Sequence, residues 1–308
     1  MKITKKAKLT ILLFVLPALI VYLIWVIYPI ISAIWMSMLK SDTLHSSHFA
    51  GLENYISVFE STLFWKSMKI SIIFIIVTTI FQVILGFFYG YLVYLQPKGY
   101  RIYKILLFIP NVLPSVASGF IWSYIYSPSM GVLKPLMEGM GLGEYYISPI
   151  ADPKMALYAV IFAQIWCGLG VQVILFNSGF MNIPSEVIES ARLDGATGWK
   201  MIKTMVIPMS WDITKMVIIL QTIGALRSFD LIYVMTSGGP NHSTEVLPMH
   251  LFVNAFQNFN LGYGNVVAVV LFVLAMIITA VMRRTTSSTQ SWEYRLRKHR
   301  LRTASRYV

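Results

Sequence analysis

The chain has 308 residues, of which 56% are hydrophobic and 12% charged, and its mean hydropathy is +0.67. That balance excludes an ordinary soluble domain and fits a polytopic membrane protein. A net charge of +12 would by itself suit nucleic acid, but the basic residues are spread as membrane topology requires rather than gathered into one patch.

Six stretches reach the roughly 20 apolar residues needed to cross ~30 Å of hydrocarbon. They run at about 10–33, 68–95, 105–127, 155–180, 210–235 and 264–282. The first follows Lys2, Lys5, Lys6 and Lys8. Its apolar run is longer than that of a signal peptide, and no small-residue cleavage site follows before Trp35, so an uncleaved span is predicted. Asp212, Lys215, Gln221, Arg227 and Asp230 interrupt the fifth stretch, which is kept because a crossing is needed before the last one.

With the N-terminus inside, the inward segments hold 18 of the 25 basic residues. These include the start of the chain, Lys98, Arg101 and Lys104 in a tight turn, Arg192, Lys200 and Lys203, and the tail from Arg283 to Val308. The outward loops hold Lys40, Lys66, Lys134 and Lys154. The positive-inside rule therefore predicts cytoplasmic termini and a single transmembrane domain over residues 1–308. Outward loops at about 34–66, 128–154 and 236–262 carry turn signals such as Asp152-Pro153 and Gly239-Pro240, and are expected to be irregular caps with short helices. The tail mixes arginines with Trp292, Tyr294 and Leu296, which suits adhesion to anionic lipid, with a regulatory or ATPase contact as the sharper alternative.

No catalytic, cofactor or metal residues are expected. A G-x-x-x-x-G-K-[ST] phosphate loop is missing, so any ATP hydrolysis belongs to another polypeptide. Cys167 is the single cysteine, and His242, His250 and His299 lack partners at ligand spacing. Internal repeats of the kind that build inverted-repeat secondary carriers are also missing.

The segment from Met181 to Pro208 interrupts the apolar pattern. Pro184 suits a first helical turn with Asn182 capping ahead of it. Val187, Ile188 and Ala191 then share one side at helical spacing, with Glu186 and Glu189 beside them. Gly195 ends that helix in a left-handed bend, Ala196 and Gly198 keep the corner small, and a second helical stretch from Trp199 to Val206 leads to Pro208. An amphipathic helix lying on the inner membrane surface is the plain reading.

The sharper reading comes from a motif. Glu189-Ser190-Ala191, then Asp194-Gly195-Ala196, Gly198 and Ile207-Pro208, resembles the cytoplasmic EAA loop of binding-protein-dependent ABC importer permeases, with Ser190 where Ala is usual. The resemblance extends through Leu107–Pro110 with Leu113-Pro114, Ile165–Gly170, Arg227–Tyr233 and Met235–Pro240, and it narrows to the carbohydrate-uptake, MalF/UgpA-like branch. It implies an all-α, six-span type I ABC importer permease in a bacterial plasma membrane. Implied partners are a second homologous permease, two ATPase subunits carrying ATP and Mg, and an extracytoplasmic solute-binding protein. Differences between the loops favour a heterodimer. Glu189 would face a cleft on the ATPase and pair with a basic side chain there, within a coupling surface of Glu189, Ser190, Ala191, Asp194, Gly195, Ala196 and Gly198.

For the solute path the resemblance points to Trp166, Gly168, Gln172, Arg227 and Asp230. Ionisable groups within spans usually mark wet cavities, and Arg227 and Asp230, three apart, can also pair with each other on a helix. Gly168 and Gly170 equally permit close helix packing, and Trp122, Tyr124 and Tyr126 serve as interfacial belt, packing or path. The implied solute is a sugar or oligosaccharide, and Arg227 favours a uronate-bearing or phosphate-bearing one. Two further classes are an ion-coupled secondary transporter, which needs a coupling carboxylate at the midplane, and a membrane scaffold without transport.

Overall fold

A computed structural model describes residues 5–43 and 46–304. Lys2 of the basic start and residues 305–308 of the tail lie outside the described residues, as do the tail side chains from Thr285 onward. The described chain is helical apart from a two-stranded hairpin. By contact density it divides into two units, residues 1–65 with 250–272, and residues 66–249 with 273–308.

The first unit holds α1 (Lys5–Tyr22), which passes through a wide turn at Leu23–Ile27 into α2 (Tyr28–Ser37). Leu12 to Ser37 leaves its apolar side chains open within this chain, as a lipid-facing span must. Antiparallel strands β1 (Leu39–Thr43) and β2 (Ser46–Phe49) follow, then α3 (Glu53–Glu60). Buried Asn54 ties this corner together, its Nδ2 donating to Ser37 O at 2.9 Å and Leu39 O at 2.8 Å. Lys40 Nζ lies 2.6 Å from Glu53 Oε1, and that bond and charge hold the Glu53 carboxyl below the usual carboxylate range. The returning segment, α14 (Leu247–Phe252) with a wide turn at Val253–Gln257, buries His250, whose Nε2 lies 3.0 Å from Tyr263 Oη on α15 (Leu261–Ala304).

The second unit is organised on α8 (Ala156–Met181), which packs against α4 (Thr62–Tyr94), α5 (Tyr100–Val112), α6 (Ser115–Ile125), α12 (Trp211–Leu226) and α13 (Asp230–Thr236). Without a hydrophobic drive between helices in lipid, small residues must let backbones approach closely. Gly86 and Gly90, a G-x-x-x-G pair on α4, do this against α8. A Cβ at Gly86 would stand 2.6 Å from Gln172 Cβ, and one at Gly90 would stand 2.7 Å from Phe176 Cβ and 3.1 Å from Val173 O. Between α6 and α8, the connecting segment forms α7 (Leu133–Gly139) and one tight turn at Gly143–Tyr145.

Two spans differ from the pattern read in the sequence. The stretch at 105–127 is not one straight helix: α5 and α6 meet at a 100° bend, because Leu113 precedes Pro114 and is forced extended, with ψ 136°. The stretch at 210–235 is also broken, ending as α12 at Leu226 and resuming as α13 at Asp230. Among the described residues four helices are long and apolar enough to cross a membrane alone, and up to six crossings result if α5 with α6, and the bent stretch Gly198–Met209 with α12, each count as one.

Gly90→Leu forces atoms into the Val173 backbone, so its cost should exceed the ~1–3 kcal/mol usual for an overpacked core. We expect the purified variant to lose its monodisperse, heat-resistant fraction in detergent, while Gly139→Leu, with nothing within 4 Å, keeps it.

Candidate functional site

At the end of α8 the chain leaves the bundle through Asn182, Ile183 and Pro184. Pro184 is extended, with ψ 134°, and stands just before α9 (Ser185–Leu193) rather than in its first turn. Asn182 does not cap α9. It closes α8 instead, its Nδ2 donating to Ser178 O at 3.1 Å. Helix α9 ends in a paired closure: Gly195 N–H donates to Arg192 O at 3.0 Å and Ala196 N–H to Ala191 O at 2.9 Å. Gly195 has φ +77°, the left-handed state that this motif needs and that glycine reaches without Cβ strain. Gly198 is a second left-handed position, with φ +51°, and opens α10 (Gly198–Met201). A wide turn at Ile202–Val206 then leads to α11 (Ile207–Met209), and this pair of helices is bent by 70° from α12.

The inner side of the segment is sealed. Ile183, Ile188, Ala191, Ala196, Met201 and Val206 are buried in one cluster with Phe176 and Phe180 of α8 and Val217 of α12. Phe180 is its centre, meeting Phe87 edge-on at 5.2 Å and Tyr91 at 5.8 Å, both on α4. Each such ring pair adds ~0.5–1.5 kcal/mol beyond its buried area. Thus α9 and α10 are fastened to α4 and α8 by packing, without a side-chain cap.

The outer side is open. Glu189, Ser190, Asp194, Gly195 and Gly198 are exposed, whereas Ala191 and Ala196 point into the seal, so the motif divides into five outward and two anchoring positions. Among the described residues Glu186, Glu189 and Asp194 form no ion pair. Leu193, which the sequence did not single out, is 90% exposed beside them. A hollow of about 440 Å³ lies between α9 and α10, with Glu186, Ser190 and Asp194 on one wall and Lys200 and Thr204 on the other. Carboxylates without an ion-pair partner among the described residues and a bare leucine, on a helix packed from behind, form a surface suited to another protein.

The solute-path residues fall into two groups. Trp166 meets Trp122 of α6 edge-on at 5.6 Å. Two residues earlier, Gln164 accepts a bond from Ser228 Oγ at 3.2 Å, so the α12–α13 break is tied to this part of α8. Arg227 and Asp230 are exposed on either side of that break. The helix ends between them and, among the described residues, they form no ion pair, so the pairing that their spacing allows is not made. Gln172 lies elsewhere: it is 4% exposed, and its Nε2 donates to Gln221 Oε1 at 2.9 Å. Gly168 faces the Gln82 side chain of α4, and a Cβ on Gly170 would stand 2.8 Å from Leu107 O of α5. Gln82, fully buried with Nε2 donating to Gln164 O at 2.7 Å, is a contributor that hydropathy hid. Asp212 and Lys215, also three apart, do pair, at 2.9 Å.

The sequence profile of the binding-protein-dependent transport system inner membrane component matches residues 82–287, a range that includes α8, α9 and the broken fifth span. The chain belongs to this family. Among the relatives of this permease is the probable ABC transporter permease protein PH1215 of Pyrococcus horikoshii, 31% identical over 87% of this chain and 92% of that one. The trehalose/maltose transport system permease protein MalF of Thermococcus litoralis is 29% identical over 90% and 93%. Its fold is shared with a chain of a bacterial alginate ABC transporter solved in complex with alginate pentasaccharide-bound periplasmic protein. There the TM-score is 0.80 at 19% identity, covering 91% of this chain and 96% of that chain. The permease is thus an all-helical polytopic membrane protein of the type I importer fold.

Gly195→Ala places a Cβ in the left-handed state at a cost of ~1–2 kcal/mol. Amide hydrogen exchange over residues 188–196 should accelerate by about tenfold in this variant and stay unchanged in Gly139→Ala.

Proposed function

We propose that this chain is one of two permease subunits of an ATP-driven importer, and that α9 is the helix a soluble ATPase grips. The observation that carries the reading is the two-sidedness of α9. Its apolar side is sealed on α4 and α8, while Glu186, Glu189 and Asp194 face outward without an ion-pair partner among the described residues. In this reading Glu189 pairs with a basic side chain in the ATPase cleft, Ser190 and Gly195 admit its surface closely, and Leu193 enters an apolar part of it. ATP and Mg stay on the ATPase. Family membership and the basic segments at Lys98–Lys104 and Arg192–Lys203 support a plasma-membrane location with both termini in the cytoplasm.

The solute is a sugar or oligosaccharide brought by an extracytoplasmic binding protein. Support comes from relatives named for trehalose/maltose transport and from the fold shared with an alginate transporter. Exposed Arg227, at the break that the Ser228–Gln164 bond ties to α8, adds an argument for an acidic oligosaccharide, since guanidinium binds carboxylate in a bidentate manner, and the Trp166–Trp122 pair supplies rings of the kind that stack on sugars. Closure of the ATPases would then move α9, and with it α4 and α8, opening the path alternately to each side. A homologous but different second permease completes the channel.

Glu189→Ala, expressed normally, should lower uptake about tenfold or more, the scale of losing one charge-assisted bond of ~1.5–3 kcal/mol. ATP hydrolysis should also stop responding to loaded binding protein. Unchanged uptake with unchanged stimulation contradicts the reading.

A further inference from the structure

A polar hollow of about 760 Å³, within the ~300–1,000 Å³ of small-molecule sites, lies where the end of α4, the start of α5, the end of α8 and the start of α9 meet. Gln96, Lys104, Asn177, Asn182, Ser185 and Glu186 line it, together with Tyr94 and Tyr100. The Tyr94 ring is held in place, stacked on Tyr91 at 6.1 Å and tilted against Phe180 at 6.1 Å. Gln96, just past the end of α4, is kept in the left-handed state with φ +49°, a strain that folds tolerate chiefly where a side chain must be aimed.

The lining suits hydroxyl groups more than a net charge. Lys104 from α5 and Glu186 from α9 bring one charge of each sign, so the hollow has no excess of either to draw in a phosphate or a nucleotide. Among the described residues Gln96, Lys104 and Glu186 form no side-chain hydrogen bond, and Asn182 commits its Nδ2 to Ser178 O while its Oδ1 stays open. Amides, an ammonium and a carboxylate together donate to and accept from neighbouring hydroxyls, and tyrosine rings pack on the apolar faces of a pyranose. That combination recognises a saccharide.

Asn177 stands three turns, ~16 Å, past Trp166 on the same face of α8. Between the two, α5 closes onto α8 at Gly170, where an added Cβ would stand 2.8 Å from Leu107 O. The hollow therefore lies on the α9 side of that contact and Trp166 on the other. Ile183 belongs both to its wall and to the cluster that fastens α9. We propose that the hollow is a saccharide site at the inner end of the solute path, where solute is held after it passes the α5–α8 contact and before it leaves. Recognition stands on the lining alone, while the role at the exit rests on the proposed sugar import.

Ser185→Cys in a Cys167→Ser background of the full-length chain, held in nanodiscs, puts a thiol on the wall of the hollow, and its rate of labelling by a maleimide reads occupancy. At least one of trehalose and digalacturonate, at millimolar concentration, should slow labelling about fivefold, and inorganic phosphate should not. Asn177→Ala and Lys104→Gln should each raise the half-protecting concentration about tenfold, and Lys98→Gln should leave it unchanged. No protection by either saccharide, equal protection by phosphate, an unshifted concentration in Asn177→Ala or Lys104→Gln, or an equal shift in Lys98→Gln overturns the site. Uptake of the same two sugars by the assembled importer separates the site from its role. Protection without uptake of either sugar keeps the site and removes its place at the exit, whereas uptake without protection removes the site and keeps the import reading.

Discussion

The packing of Phe180 against Phe87 and Tyr91 is the contact on which the rest of this permease depends. A polar, amphipathic segment joins two apolar spans, and it would fray in water unless its apolar side were covered. Ile183, Ile188, Ala191, Ala196, Met201 and Val206 find that cover on an aromatic platform supplied by the ends of α4 and α8. Close-packed interiors transmit displacement because they resist compression. A force applied to α9 is therefore a force applied to α4 and α8, and the glycine contacts at Gly86 and Gly90 carry it along the pair.

Away from that platform the bundle accommodates breaks that hydrocarbon would otherwise forbid. Backbone freed by a broken helix must find partners within the protein or line a wet cavity. At the α12–α13 break, Arg227 N–H still donates to Gly224 O and Ser228 N–H to Ala225 O, while Ser228 Oγ reaches Gln164. Gln82 to Gln164 and Gln172 to Gln221 add amide bonds between helices, worth ~0.6–2 kcal/mol each in such surroundings. Exposed Arg227 and Asp230 flank the break, which lets charged groups sit along a largely apolar chain without crossing lipid.

Much of this was legible in the residues because local rules governed it. Gly195 announces its bend, since few other residues accept φ +77°, and the spacing of Ile188 and Ala191 fixes which side of α9 turns inward. Other features depended on rules that hydropathy overrides or on contacts remote in sequence. Leu113-Pro114 carries the signal for a bend, but continuous apolarity around it reads as a straight crossing. Arg227 and Asp230 look like a helical pair because three-residue spacing says nothing about whether the helix survives between them. Asn182 has the chemistry of a cap, yet the extended Pro184 stands between it and α9. Gly86 and Gly90 were present as a G-x-x-x-G pair hidden in an apolar run, whereas Gln82 and Gln164 are brought together only by folding. The hairpin at Leu39–Phe49 lacks the alternation that marks a half-buried sheet, so its strands could not be read in advance.

Thiol accessibility of Ser190→Cys, in a Cys167→Ser background, tests the account most directly. A membrane-impermeant maleimide should label it in inside-out vesicles, fail to label it in right-side-out vesicles, and be blocked when the ATPase subunits are bound. Labelling from the outer side, or no labelling from either side in unfolded-competent but intact vesicles, would mean that α9 is not a cytoplasmic docking helix.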